Sequence, residues 1–500
     1  MKKFCIFFSV LLIASSMHGQ IDDLSKIFED FKKQNQQHFD TFSTSTQAKY
    51  DAFRKAQNEQ YAEFITASWE TMTALPPVMP IAEEPVEPVI YEATTENSLP
   101  ATAAYANAIP TKDQVIVLPK PEAQPEPIAP VAAKASIPSK IVSISFYGTL
   151  VSVGFPATDD LRIKTLNERA LADAWMHLAD AKYDITLENV LTLRKDLALC
   201  DWGYINMLQA ITEKQYGKSN EAVLMQAFLL AQSNYKIRLA YGESKLYTLI
   251  ASQYSILGMS RYEINDEYFY PLNCDVSQLK ICKAFFENEK AISLQLRQEQ
   301  RLAQDLSDAR KLISKYGVVA NVAVNKNDIE FFNDYPSAYL GDNIMTRWVV
   351  YANTPLSSTI QEELYPTLKK AITGLSEKDA VNKLLNFVQT ALTYGYDEQI
   401  WGTDRAFFAA ETLHYPYSDC EDRSILFARL VRDLVGLDIV LVYYPGHLAT
   451  AVNFNQDVYG DYLTYKGRRY TVCDPTYVNA PVGRTMPGMN NTDAQVIVIK

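Results

Sequence analysis

Histidine is scarce in this chain. Five stand among 500 residues, and nowhere do histidines and cysteines gather at metal-ligand spacing. No glycine-rich loop ends in Lys-Ser or Lys-Thr, the pattern that cradles nucleotide phosphates. Neither a metal nor a nucleotide cofactor is implied. Beyond the N-terminus no apolar run reaches the roughly 18 residues that a spanning helix needs, so no membrane insertion is expected. Basic residues are in the minority, 47 Lys and Arg against 59 Asp and Glu. That balance repels nucleic acid and anionic membrane surfaces and suits cationic or neutral partners. What the chain does have is apolar and aromatic surface. At 48% hydrophobic and 12% aromatic it can bury one large core, and two are expected.

Residues 1–20 carry Lys2 and Lys3, an apolar stretch from Phe4 to Ala14 and a small polar tail suited to cleavage near Gly19 or Gln20. This is the layout of a cleaved secretory signal peptide and implies a periplasmic or secreted protein. Cys5 lies too early to carry a lipid, so no lipid anchor is expected. Losing Lys2 and Lys3 takes the formal net charge from −12 to −14. Cys5 is lost as well, which leaves Cys200, Cys274, Cys282, Cys420 and Cys473, an odd set in an oxidising compartment. At least one thiol must then stay unpaired, and Cys420 is the candidate. Cys274 and Cys282 are close enough to close a small loop, or stand as two separate buried thiols.

Residues 21–75 lack glycine and, like a ruler, repeat aromatic pairs every eleven positions: Phe28/Phe31, Phe39/Phe42, Tyr50/Phe53 and Tyr61/Phe64, with Met72 and Leu75 in phase. Eleven residues over three turns is close to the pitch of an α-helix. The spacing predicts one long helix with an aromatic stripe. Such a stripe calls for cover, either from another copy or an envelope partner, or from the globular body if the helix folds back. Residues 76–140 hold 13 of the 23 prolines and read as an extended linker that isolates this helix.

The globular part, 141–500, opens on a strand or hairpin (IVSISFYGTLVSVGF). Helical spacing follows at 162–180, 187–213, 220–233 and 283–316, with KIRLAY strand-like; VVANVAV and RWVVYAN read as strands, and 358–373 and 377–395 as helices. The class is α+β. A shift of 202 positions lays Val223, Leu224 and Met225 on Ile425, Leu426 and Phe427, and KLYTLI on HLATAV. Two related lobes, 141–330 and 331–500, are one explanation; chance alignment of a common helix-strand pattern is the other. The first lobe has Lys218 where the second has Cys420, and Lys245 where it has His447.

Chemistry concentrates in the second lobe. Ser418 or Asp419 can cap a helix whose first turn holds Cys420 and whose end is marked by Gly436. The strand DIVLVYY then meets Pro445-Gly446, a pairing that favours a type II turn and presents His447 on the returning strand. Asp474 closes the strand RRYTVCD. The two intervals, 420 to 447 and 447 to 474, are 27 residues each. A thiol at a helix start, an imidazole and a carboxylate are the parts of an activated cysteine nucleophile. Asp419, Glu421 and Asp422 oppose the thiolate, so the imidazolium of His447 must supply most of the activation. Neighbouring Cys473 points to the opposite face and reads as core, and His414 is a poorer base.

On the phrases DCEDRSILFARLVRDLVGLDIVLVYYPGHLATAV and YTVCDPTY, residues 330–500 resemble the bacterial transglutaminase-like superfamily. The resemblance implies a papain-like core, with Cys420 as nucleophile, His447 as general base and acid, and Asp474 as orienting residue. It also implies an exported enzyme forming a thioester from a peptide or protein amide and passing it to water or an amine. Many relatives carry a tryptophan where this chain has Ala449. Trp401, Tyr415 and Tyr417 are upstream candidates for an oxyanion-binding side chain, with aromatic core as the alternative. The rival to an enzyme is a non-catalytic envelope scaffold that binds peptide through its lobes and assembles through the helix.

Overall fold

The computed structural model describes residues 20–80, 86–92, 108–109, 115–117, 124–131, 139–272 and 277–499, and the side chains of the first helix at Lys33 and from Ser45 onward. The signal peptide expectation, and Cys274, lie outside the described residues. Cys282 is a buried free thiol, as are Cys200, Cys420 and Cys473. Among the described residues no helix is long and apolar enough to cross a membrane.

The chain is α+β. Five strands form the centre of each lobe. In chain order they are Ile237–Gly242, Lys245–Ala251, Tyr262–Ile264, Glu267–Pro271 and Gln278–Cys282 in the first, where the intervening Tyr254–Ile256 pairs instead with Ala338–Leu340, and Asp438–Tyr444, His447–Asn453, Tyr462–Tyr465, Arg468–Cys473 and Gln495–Val498 in the second. Both sheets place them in the order third, fourth, second, first, fifth, with every one of these neighbours antiparallel. A helix precedes each set, Asn220–Gln232 and Cys420–Leu434, and packs on the first hairpin. Alternation explains the layering. Ile439, Leu441 and Tyr443 enter one apolar cluster that runs through both lobes, while Val440, Val442 and Tyr444 enter a smaller cluster on the other face of that sheet. In the first sheet Ile237 and Leu239 face the shared cluster, and Ala240, Leu249 and Phe269 build the outer one. Cys473 belongs to the shared core.

The long helix spans Gln20–Ala67, ending short of the expected residue 75. Trp69–Thr73 is instead a strand paired antiparallel with Gln278–Cys282; its aromatic and threonine side chains suit a sheet edge. The end of the helix folds back on the first lobe. Tyr61 stacks on Phe286 at 4.4 Å, Arg54 pairs with Asp184 at 3.0 Å, and Asn58 accepts the Trp175 indole N–H at 2.9 Å. Of the described stripe pairs, Tyr61/Phe64 is therefore covered by the chain itself, and Tyr50 and Phe53 stay exposed.

The proline-rich stretch does not isolate the helix. Ala108–Ile109 and Val115–Ile116 extend the second sheet at its two edges, while the Pro125 carbonyl accepts Arg194, and Ile128 donates to Gln232, in the first lobe. Two other expectations fail. The stretch 283–316 forms no helix, because Ile292, Leu294 and Leu296 bury with a period of two and Ile292 bridges Ser252. RWVVYAN is helical over Trp348–Asn353, a buried apolar run whose periodicity alone cannot separate helix from strand. The remaining expected helices form as Glu168–Leu178, Asp184–Asp196, Asp201–Tyr216, Ser358–Ile372 and Glu377–Ala391.

Candidate active site

Asp419 caps the cysteine helix. Its carboxylate accepts the Asp422 amide at 3.5 Å, and the Asp422 carboxylate accepts the Asp419 amide at 3.2 Å, a reciprocal capping box. The second Asp422 oxygen takes the Phe407 amide at 2.8 Å and so ties the helix start to the preceding loop. Cys420 is thereby the first helical residue. Arg423, one turn on and 1% exposed, donates to the carbonyls of Leu392 (3.0 Å) and Gln389 (3.4 Å), pinning the helix from below.

The histidine strand is fastened to the same helix. Ser424 donates to the Leu448 carbonyl at 2.8 Å, and the Leu448 amide donates to Cys420 Sγ at 3.4 Å. His447 precedes this anchor on the strand, after a turn in which Gly446 takes φ of +73°, a left-handed conformation that glycine adopts without strain. His447 Nε2 lies 2.9 Å from Asp474 Oδ2 with both side chains buried. The other Asp474 oxygen accepts the amides of Thr476 (2.9 Å) and Tyr477 (3.2 Å). Gln389 then clamps the loop by donating to the carbonyls of Asp474, Tyr477 and Ala480. The carboxylate is thus held rigidly, and it in turn holds the imidazole. With Nε2 donating to Asp474, Nδ1 is the free acceptor of the ring; it is buried and makes no hydrogen bond.

Cys420 and His447 border one cavity of about 280 Å³. The thiol does not bond to the imidazole in this state but donates to Glu421 Oε2 at 3.2 Å. Of the three residues singled out in the sequence, His447 and Asp474 are in direct contact, and Cys420 reaches them through the Leu448 amide and the shared cavity.

The cavity is acidic. Asp397, Glu398, Asp404, Asp419 and Glu421 border it, and oxygens of Asp397, Asp419 and Glu421 lie within 4.8 Å of one another. Arg347, 3.7 Å from Asp404, is the arginine on its wall. Burial first, then the Glu421 charge, raises the Asp397 carboxyl to about 8 and that of Asp404 to about 6. The same causes act on the thiol: burial, then Glu421 and Asp419, push Cys420 well above its ordinary value. The expected thiolate at the helix start is therefore disfavoured by its surroundings. A helix dipole contributes about 0.3 to 2 kcal/mol, and loss of water together with two adjacent carboxylates outweighs it.

The three oxyanion candidates are not on the cavity wall. Trp401 and Tyr415 pack on each other and on Phe407 around Arg405, and Tyr417 is exposed. Trp348, Tyr396 and Tyr443 line the wall instead. The Trp348 indole N–H is buried and has no hydrogen-bond partner. It lies 72 positions before Cys420 in a run that reads as a strand, so no local pattern pointed to it.

Comparison with known proteins returns nothing: no family model matches the chain, and no curated protein or solved structure matches it either.

Proposed function

We propose that this chain is an exported thiol enzyme of transglutaminase-like, papain-like type, acting on peptide or protein amides through a thioester at Cys420. The supporting observation is the buried His447, its Nε2 committed to Asp474 and its Nδ1 unpartnered, on the wall of the cavity that also holds Cys420 at a helix start. Nδ1 takes the Sγ proton as sulfur attacks the amide carbon, and the same proton passes to the leaving amine nitrogen as the C–N bond breaks. Water or an amine then attacks the thioester, giving up its proton to Nδ1, and the thiol leaves reprotonated. Product is an acid or a new amide. Asp474 keeps the imidazole in the required tautomer and stabilises its cation. We assign the Cys420 amide and the indole N–H of Trp348, a wall residue whose N–H has no hydrogen-bond partner, to a developing oxyanion.

Acylation by p-nitrophenyl acetate, followed by intact mass on the full chain, tests this reading. Single acylation at Cys420 that slows at least about 100-fold in His447→Ala is expected. Equal rates in both proteins would remove the imidazole from the chemistry. One observation favours the rival reading, a peptide-binding scaffold: the thiol is hydrogen-bonded to Glu421, not to the base, and burial beside that carboxylate holds its pKa well above the ordinary value. A scaffold predicts the equal rates.

A further inference from the structure

Two described stretches of the proline-rich segment meet the thiol site. Met79 and Pro80 form part of the cavity wall that also holds Cys420 and His447. Val86 donates its amide to the Gly446 carbonyl at 3.2 Å, immediately before His447. Ile90 bridges Val478 in parallel: Tyr91 donates to the Val478 carbonyl at 2.8 Å, and Val478 donates to the Val89 carbonyl at 2.9 Å. Val478 lies four residues beyond Asp474, just after the turn that the Asp474 carboxylate organises. Val86, Val89 and Tyr91 also cover an apolar patch of Tyr477, Ala480 and Met486.

These contacts have the form of a bound peptide. Main-chain hydrogen bonds to an exposed edge supply affinity, and alternate side chains fill apolar pockets. Pro88 favours the extended conformation that such binding needs and lowers its entropic cost. The attachment points are next to the base and to its orienting acid in the chain, whereas a merely structural linker could cross the lobe anywhere.

We propose that the Gly446 carbonyl and the Tyr477–Val478 edge form a polypeptide-binding cleft across the Cys420 cavity, and that residues 79–80 and 86–91 occupy it in cis as a strap which substrate must displace. In naming extended polypeptide as the substrate class this rests on the thiol-enzyme reading; the strap itself does not.

The test measures alkylation of Cys420 in the full-length chain by iodoacetamide and by a bulky maleimide. Two strap variants are used, Val86→Pro with Tyr91→Pro, which removes both donated N–H groups, and Met79→Gly with Pro80→Gly, which thins the wall. Gln124→Ala, whose contacts lie in the first lobe, is the control. At least about tenfold faster maleimide labelling is expected in both strap variants, with a smaller gain for iodoacetamide and none in the control. Unchanged labelling in both would overturn the strap. The experiment is repeated in a His447→Ala background. Because access and not chemistry is read, acceleration persists there even if the enzyme reading fails. A synthetic peptide of residues 75–93 added to the strap variants should restore slow labelling. Absence of protection at millimolar peptide would overturn the polypeptide cleft.

Discussion

The two lobes share a helix, a hairpin and a five-strand order, yet only in the second does a buried thiol at the start of that helix share a cavity with a histidine paired to an aspartate. The difference sits at the rim. The helix of the second lobe begins at Cys420, capped by Asp419, whereas its counterpart begins at Asn220, capped by Ser219. At the 202-residue offset the first-lobe helix is two residues shorter at its start, and the position matching Cys420, Lys218, falls outside it. Lys218 and Lys245, the counterparts of Cys420 and His447, are exposed, while Cys420 and His447 are 6% and 2% exposed. Core positions behave alike, with Leu224 and Leu426 both fully buried. Packing therefore sets the shared architecture, and a handful of end-of-element residues decides whether a lobe has chemistry.

The largest break in the comparison comes from Cys420→Ala, which should abolish acylation by p-nitrophenyl acetate, while Lys218→Ala leaves the rate unchanged. A residual acylation of wild-type speed in Cys420→Ala would place the nucleophile elsewhere. Next, Asp474→Asn should slow acylation by about 10² to 10⁴ through loss of the correct imidazole tautomer. Lys245→Ala should not. Third, Leu224→Ala and Leu426→Ala should each cost about 2 to 5 kcal/mol in urea unfolding. Near-equal values would extend the likeness of the lobes from topology to energetics, and a gap of several kcal/mol would confine it to topology.

The smallest effects concern the charges around the second-lobe cavity. Glu421→Gln removes a charge that holds the thiol up, so the pH midpoint of Cys420 alkylation should fall; an unmoved or higher midpoint would contradict the assigned cause. Asp397 is raised from 3.8 to about 8. In the folded state it keeps its proton where the unfolded chain has lost it. Its stabilising contribution is therefore complete below about pH 4 and declines as pH rises toward 8. Wild-type Tm should fall across that window, and Asp397→Asn should flatten the slope. An identical slope in the variant would assign the pH dependence to other groups.

Much of the site was legible because it is local. A capping residue before an apolar helical face, a Pro-Gly pair between strand runs and an Asp-Pro stop each act within a few residues, and the structure forms each of them. The aromatic repeat was legible as a helix, but its end was not: nothing short-range says that Trp69–Thr73 finds a free sheet edge on Gln278–Cys282. The stretch 283–316 misled for the same reason, since a partner more distant in the chain overrode local preference, and RWVVYAN misled because the periodicity of a short buried run does not separate helix from strand.

The sequence by itself determined the helix-strand modules, the placement of Cys420, His447 and Asp474 at their ends, and the acidic character of the chain. Tertiary structure alone decided that Nε2 of His447 is committed and Nδ1 free, that the thiol faces Glu421, and that Trp348, Asp397, Met79 and Pro80 wall the same cavity. Periodicity and capping report the few residues within one turn or one hairpin. Which distant surfaces then close over a thiol, and how far they strip it of water, depends on packing among elements tens to hundreds of residues apart, and that is also what sets its charge state.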